Sequence, residues 1–262
     1  MNTPRSFRAE AVVLNHQDWG EADRLVTLYT RQYGKLRAVA KGARKTRSRK
    51  AGHLQPFTHV ILQLARARGP YIITQAETAH AFGALRESLP LTGQAAYIVE
   101  LLHRFSYDEE EANSSIFRLL VDSLTRLERG DDPWLVARYY EMRLLDHLGF
   151  RPQLQTCLHC GNPLEPVAQF FSGSEGGIIC PDCSIQHASL RPVSMETLKY
   201  LRHFQRSSYE VASRANPEPK VRAEVENLMQ FYLTYLLERG LNSPRFIREM
   251  EQGKPKESKS QS

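Results

Sequence analysis

All the cysteines of this 262-residue chain lie in two short clusters, Cys157-Leu158-His159-Cys160 and Cys180-Pro181-Asp182-Cys183. The pattern is C-x2-C-x19-C-x2-C. Two residues between cysteines let a tight turn aim both thiolates at one tetrahedral ion, with Zn–S distances of about 2.3 Å. Gly161 and Pro181 suit such turns. One Zn2+ held by Cys157, Cys160, Cys180 and Cys183 would be structural, since four thiolates leave no open position for water or substrate. His159 and His187 could replace a thiolate, but four correctly spaced cysteines place them outside the ligand set. A thioredoxin-type redox pair needs a βαβ setting that the flanking sequence lacks and would explain only one CxxC. Four unliganded thiols are the remaining alternative.

A second group of residues suits a polyanion. From Lys35 to Lys50, eight of sixteen residues are basic (Lys35, Arg37, Lys41, Arg44, Lys45, Arg47, Arg49, Lys50) and none is acidic. Gly42, Ala43, Ser48, Ala51 and Gly52 keep the run small and flexible, so it is expected to stay out of any core. Charge at this density repels itself unless an anion is present, and phosphate is the natural counterpart. Arg66 and Arg68 extend the candidate nucleic-acid-binding set. A solvated loop without a partner, or a localisation signal, is the bland alternative. No base-specific constellation accompanies the run, so binding should be sequence-independent and strongly salt-dependent.

Other chemistries lack their residues. There is no G-x-x-x-x-G-K-[ST], G-x-G-x-x-G, H-E-x-x-H or G-x-S-x-G pattern. The acidic clusters Asp108–Glu111 and Asp131-Asp132 could be imagined as Mg2+ ligands of a nuclease. They fall between helical segments, where acids usually mark solvated turns and N-caps. No catalytic residue is assigned.

The elements that must position these groups change character along the chain. Phe7–Leu14, Arg24–Thr30, Lys35–Ala40, His59–Ala65 and Tyr71–Thr78 are short runs rich in Val, Ile, Leu, Thr and Tyr, broken by turn signals. Five strands in 80 residues suggest a small barrel, with the five-stranded OB-fold leading and an SH3-like barrel fitting the same pattern. The basic run would then join the third and fourth strands, beside a face that could stack bases on Tyr29, Tyr33, Phe57 or Tyr71. Beyond Leu85, apolar residues recur at three- and four-residue spacings: Ala95 to Phe105, Ile116 to Leu127, and Leu135 to Leu148. Gly149, with Pro152 after it, is expected to cap the third of these helices. Residues 152–192 carry five prolines, four glycines and every cysteine, and include a possible hairpin of Val167–Phe171 and Ile178-Ile179. Helices follow around Met195–Gln205 and Lys220–Glu238.

The expected organisation is α+β and multidomain: an OB-fold barrel over 1–80, a helical domain over 81–151 and 193–245, a zinc-binding module embedded at 152–192, and a disordered tail over 246–262. The net charge of +6 divides unevenly along it. Residues 1–80 hold 14 Lys and Arg against five Asp and Glu, whereas the remainder is slightly acidic. Met1–Glu10 is charged, and Ala11–Leu14 is shorter than the roughly 7–15 residues of a signal h-region. No apolar run approaches the ~18 residues of a membrane span. These features point to a cytosolic protein with no membrane partner, in which thiols serve better as metal ligands than as disulfides.

Ala11–Leu14, Asp18–Thr30, Tyr33–Leu36 and Ala40–Arg44 resemble the N-terminal domain of the RecO family of bacterial DNA repair proteins. Leu144–Pro152, leading into Cys157–Gly161, is similar to that family's junction into its zinc module. The resemblance extends from about residue 5 to 240. It implies an OB-fold followed by a helical domain with an embedded zinc module, the four cysteines taking the ligand role. It implies further a recombination mediator without enzymatic turnover, acting in the cytoplasm at the bacterial nucleoid. Such a mediator binds ssDNA and dsDNA, anneals complementary strands, joins RecR, and helps RecA displace single-stranded DNA-binding protein. If the resemblance is set aside, a zinc-ribbon RNA-binding or transcription-associated factor is the alternative, with a metal-dependent nuclease a distant third.

Overall fold

The computed structural model describes residues 6–108, 111–186 and 189–238. The expected tail, His187, and Glu109 and Glu110 of the first acidic cluster lie outside these residues. Five strands, β1 (Ser6–Trp19), β2 (Asp23–Thr30), β3 (Gly34–Ala40), β4 (His59–Ala65) and β5 (Tyr71–His80), close a barrel in the order β1-β2-β3-β5-β4. The β3–β5 pairing is parallel, through Ala38↔Tyr71 and Val39↔Ile72, while the other seams are antiparallel. That Greek-key closure is the OB-fold and not the SH3-like alternative. Four of the strands begin or end within about two residues of the sequence expectation. β1 runs five residues further, because a register shift between Val13 and Asn15 lets it keep pairing with β2 out to Trp19↔Asp23.

Two cores result. Ala11, Val13, Val26, Leu28, Leu36, Val60, Leu62, Leu64 and Ile73 fill the barrel. Val12, Leu14 and Tyr29, on the outer face, belong instead to a larger core built mainly by helices. β4 shows the one-in, one-out burial of a half-solvated strand, but β3 is buried on both faces except at Arg37.

Of the helices, α1 (Ala84–Glu87) is a single turn that leads into α2 (Leu89–Phe105), α3 (Ser114–Glu128) and α4 (Pro133–His147). Asn113 caps α3 by accepting from the Ser115 and Ile116 N–H groups, and Asp132 caps α4 by accepting from Trp134. Phe150 N–H donates to Leu145 O and Gly149 N–H to Asp146 O, with Gly149 at φ +80°, closing α4 in a Schellman motif. The apolar stripe predicts an amphipathic α4, yet this helix is buried nearly all round from Leu135 to Leu145. Its inward-facing charges are paired: Arg138 Nη2 lies 2.7 Å from Glu141 Oε1, and the Tyr97 hydroxyl donates to the same carboxylate.

After α4 the chain builds a three-stranded sheet, β6 (Gln169–Ser172), β7 (Gly177–Ile179) and β8 (Arg191–Val193), with the one-turn α5 (Pro181–Ser184). It then returns to the bundle as α6 (Met195–Arg206), a further turn α7 (Tyr209–Ala212), and α8 (Pro219–Glu238). Ser194 caps α6 and is itself held by Glu224 of α8 at 2.6 and 2.7 Å.

Lys35 joins barrel to bundle. Its ammonium donates to His103 O at 2.9 Å and Ser106 O at 2.6 Å, at the C-terminal end of α2, where unpaired carbonyls favour a cation. Only 8% of the residue is exposed. Lys35→Ala strands those carbonyls at a cost of about 1–3 kcal/mol. Thermal unfolding followed by calorimetry should register a midpoint several degrees lower.

Candidate metal centre and nucleic-acid interface

The cysteine turns are built by backbone bonds. Cys157 N–H donates to Asn162 O and Gly161 N–H to Cys157 O, both at 2.9 Å, folding Cys157–Cys160 back on itself with Gly161 at φ +75°. Leu158 N–H donates to Ile178 O at 2.9 Å, so this turn lies against β7. The expected hairpin forms, with Phe171 opposite Ile178, and β7 delivers Cys180 directly to the start of α5. Pro181 occupies the first helical position, where a missing N–H costs nothing.

The result is a cluster in which all four Sγ atoms lie within 4.8 Å of one another, with Cys160 and Cys180 sulfurs 3.9 Å apart. Arms of about 2.3 Å on a tetrahedral ion would set sulfurs roughly 3.8 Å apart. All four cysteines are free of disulfides. Burial pushes the Cys157 thiol up, but the N–H groups of Cys160, Cys180 and His159 aimed at it outweigh that and bring it down to about 6. The Cys183 thiol is pushed up to about 12, chiefly by its hydrogen bond with Cys180, and Cys180 is raised by burial. The thiolate is therefore favoured at Cys157 and opposed at Cys180 and Cys183, and a bound dication would favour it at each. The chemistry of the donor set fits a metal ion with no vacant coordination position.

The basic run divides. Lys41, Arg44, Lys45, Arg47 and Arg49 are exposed together at one end of the barrel. Contrary to the expectation of a flexible segment that cannot pack, the loop is a chain of tight turns. Ala43 is buried in the barrel core, and Gly42 N–H donates to Asp23 Oδ1 at 2.7 Å. Arg44 N–H donates to Ala22 O at 2.9 Å, and its guanidinium to Gly20 O and Glu21 O, with Asp18 at 3.2 Å. The loop is thereby clamped onto the β1–β2 turn. Lys50 reaches across to Ile73 O at 3.1 Å. Arg37 is exposed on β3, 2.8 Å from Asp108, whereas Lys35 is engaged at the domain junction as described. Arg66 and Arg68 are exposed on the turn after β4, where Ala65 pairs with Ile72 and Ile72 with Val39 of β3, so they lie on the side of the barrel at which β3 enters the basic loop.

The candidate stacking aromatics divide too. Tyr29 and Phe57 are buried in the larger core. Tyr33 and Tyr71 flank Phe7 in edge-to-face contacts of 4.6 and 5.4 Å, at the Arg66 end. Trp19, 46% exposed at the end of β1, also stands beside the basic loop, through its pairing with Asp23, which accepts from Gly42 N–H. In the sequence Trp19 is marked only by a large ring next to a turn glycine, Gly20 at φ +59°. Arg24 of β2 has its Nε and Nη1 buried without a hydrogen-bond partner, and it helps lower the pKa of His16, though burial does more.

Asp132, besides capping α4, pairs with Arg222 at 2.7 Å, and Asp131 accepts from the Tyr209 hydroxyl at 2.9 Å, so these acids serve structure. Among the described residues no helix is long and apolar enough to cross a membrane.

Comparison with known proteins covers both halves of the chain. The family model described as Recombination protein O N terminal matches residues 1–82, and that described as Recombination protein O C terminal matches residues 86–245. A protein of Roseiflexus sp. (strain RS-1) named DNA repair protein RecO is 41% identical over 248 residues, 95% of this chain and 87% of its own. Proteins of the same name from Dehalococcoides mccartyi (strain CBDB1) and Bacillus subtilis (strain 168) are 34% and 30% identical, each covering more than nine-tenths of both chains.

The cysteine geometry sets an expected outcome. Purified chain should carry one equivalent of metal, measured by elemental analysis, with all four thiols shielded from alkylation. Cys157→Ser or Cys180→Ser should release it and lower the melting temperature, and a chelator that strips the ion without moving the melting curve contradicts the assignment.

Proposed function

The chain belongs to the RecO family, and from that membership we propose that it is a non-catalytic mediator of DNA repair and homologous recombination. It binds ssDNA and dsDNA without sequence preference and anneals complementary strands. With RecR, it assists RecA loading on ssDNA coated by single-stranded DNA-binding protein, in the bacterial cytoplasm at the nucleoid. The observation that carries the DNA-binding part is the clamped loop in which Lys41, Arg44, Lys45, Arg47 and Arg49 stand exposed together on an OB-fold.

Annealing requires two phosphate backbones to approach despite their repulsion. A cationic loop held in one shape supplies the countercharge without paying to order itself on binding. Lys41, Lys45, Arg47 and Arg49 are assigned to phosphates; Arg44 and Lys50 combine that role with holding the loop, and Arg37, Arg66 and Arg68 extend the surface. Lys35 contributes through the fold that presents them.

Cys157, Cys160, Cys180 and Cys183 would hold one structural Zn2+, which when bound supplies cross-linking of the two turns and no reactive position. The rest of the module is held by the chain itself. Tyr232 of α8 donates to Phe150 O at 3.1 Å and packs edge-to-face on Phe171 at 5.1 Å. We divide the chain accordingly into an OB-fold domain (1–80), a helical domain (81–151 and 193–245) and the embedded module (152–192).

Replacing Lys41, Lys45, Arg47 and Arg49 by Ala should weaken binding to single strands and flatten the plot of log affinity against log salt. The expected reduction is about 0.7 in slope per lost phosphate contact. Annealing of complementary DNA coated with single-stranded DNA-binding protein, followed by fluorescence, should slow in parallel. An unchanged slope overturns the assignment of the loop, and absence of annealing by the intact chain overturns the mediator reading.

A further inference from the structure

The outer face of β1–β3 carries more than charge. The ladder places Trp19 opposite Asp23, Gln17 opposite Leu25 and Asn15 opposite Thr27, then Leu25 opposite Val39, Thr27 opposite Arg37 and Tyr29 opposite Lys35. Residues paired in this way share one face of the sheet. Helices cover the half that includes Val12, Tyr29 and Lys35. The other half presents Asn15, Gln17, Trp19 and Arg37 to solvent. This is the side of an OB-fold, the strand 2–3 face and its neighbouring loops, where extended polymers are bound.

Trp19 is prepared for contact. The register shift after Val13 carries β1 out to the tip of the barrel, so the indole stands on paired strand backbone and not on a free loop. The turn that follows is fixed from two sides, by Asp23 accepting from Gly42 and by Arg44 bonding to Gly20, Glu21 and Ala22. A large ring, 46% exposed on rigid backbone and bordered by Arg44 and the rest of the cationic loop, has little ordering entropy left to lose. Leaving such a ring in water is unfavourable, and a flat apolar partner with an anionic backbone would satisfy both it and the cations.

We infer that Trp19 is a base-stacking residue for single-stranded nucleic acid, with the strand's phosphates on the adjacent Lys41–Arg49 loop and its continuation toward Arg37. This rests on the DNA-binding function proposed above and adds a discrimination to it. Charge serves single and double strands alike, but only an unpaired base offers its face to the indole, so Trp19 favours single strands.

The test uses the full chain with oligothymidylate and a blunt duplex of equal length. Trp134, packed against Phe204 and under Arg222, is the other tryptophan, and W134F leaves Trp19 as the sole reporter. Saturating oligothymidylate should quench Trp19 fluorescence while the duplex does not. The same quench, present in the unmodified chain and missing from W19F, serves if W134F fails to fold. W19A should bind oligothymidylate about fivefold or more weakly, the lower end of the stacking range, with duplex affinity and salt slope unchanged. W19F should recover most of the loss. Salt-sensitive binding with silent fluorescence and an unaltered W19A affinity overturns the stacking assignment alone, and points to a protein partner for the ring. Equal weakening toward oligothymidylate and duplex also overturns it, by making Trp19 a support for the loop. Failure of the intact chain to bind either probe overturns the DNA-binding function and this inference with it.

Discussion

The burial of one outer face of the barrel against the helices is the constraint on which the rest of the molecule depends. Val12, Leu14, Tyr29 and Phe57 share a continuous core with α2, α3, α4, α6 and α8, and Phe171, Ile178 and Val193 of the three-stranded sheet enter the same core. Two backbone outliers show how strongly it is favoured. Phe57 and Phe82 adopt φ of +71° and +48°, a region that costs a non-glycine residue on the order of 1–3 kcal/mol. Each places its ring in this core with 6% or less exposed, a gain of about 1.5–3 kcal/mol that offsets the strain. Phe57 is further fixed by its N–H bond to Val13 O at 2.9 Å.

That shared core decides which charges remain available. Covering part of β3 withdraws Lys35 from solvent and turns it into a cap for the carbonyls of α2, leaving Arg37 as the exposed residue of its strand. The uncovered half of the sheet and the basic loop then face outward together. The loop holds its shape because its backbone is bonded to the β1–β2 turn and Ala43 is anchored in the barrel. Cationic density and order coexist here because turn hydrogen bonds, and not side-chain packing, supply the order.

The cysteine module follows the same economy. Its three short strands are too small to hold a core of their own, so the cysteine turns close one end while α8 closes the other. Glycine is needed at both contacts. A Cβ on Gly176, which sits at φ +70°, would approach the Tyr232 hydroxyl to 2.7 Å, and one on Gly177 would meet Gln153 O at 2.6 Å.

The local features were legible because their causes are local. Strand positions follow β-branched runs, the Gly149 cap and the Asp132 cap follow turn chemistry, and C-x2-C spacing brings two thiolates to one point whatever surrounds them. The sequence alone therefore determined the barrel, the helices and the pairing of cysteines within each turn. It could not assign faces. Lys35 and Arg37 are two residues apart in one basic run, and only the packing of α2 makes the first a structural cap and leaves the second in solvent. Tyr29 and Trp19 likewise belong to one sheet face, and the helices bury one and spare the other. The charged α4 reads as amphipathic because its Arg138–Glu141 pair cannot be distinguished from a solvated pair until Tyr97 arrives from α2. Spacing along the chain encodes what neighbouring residues can do together; which side meets water is settled by contacts between segments far apart in sequence, and only the tertiary structure contains those.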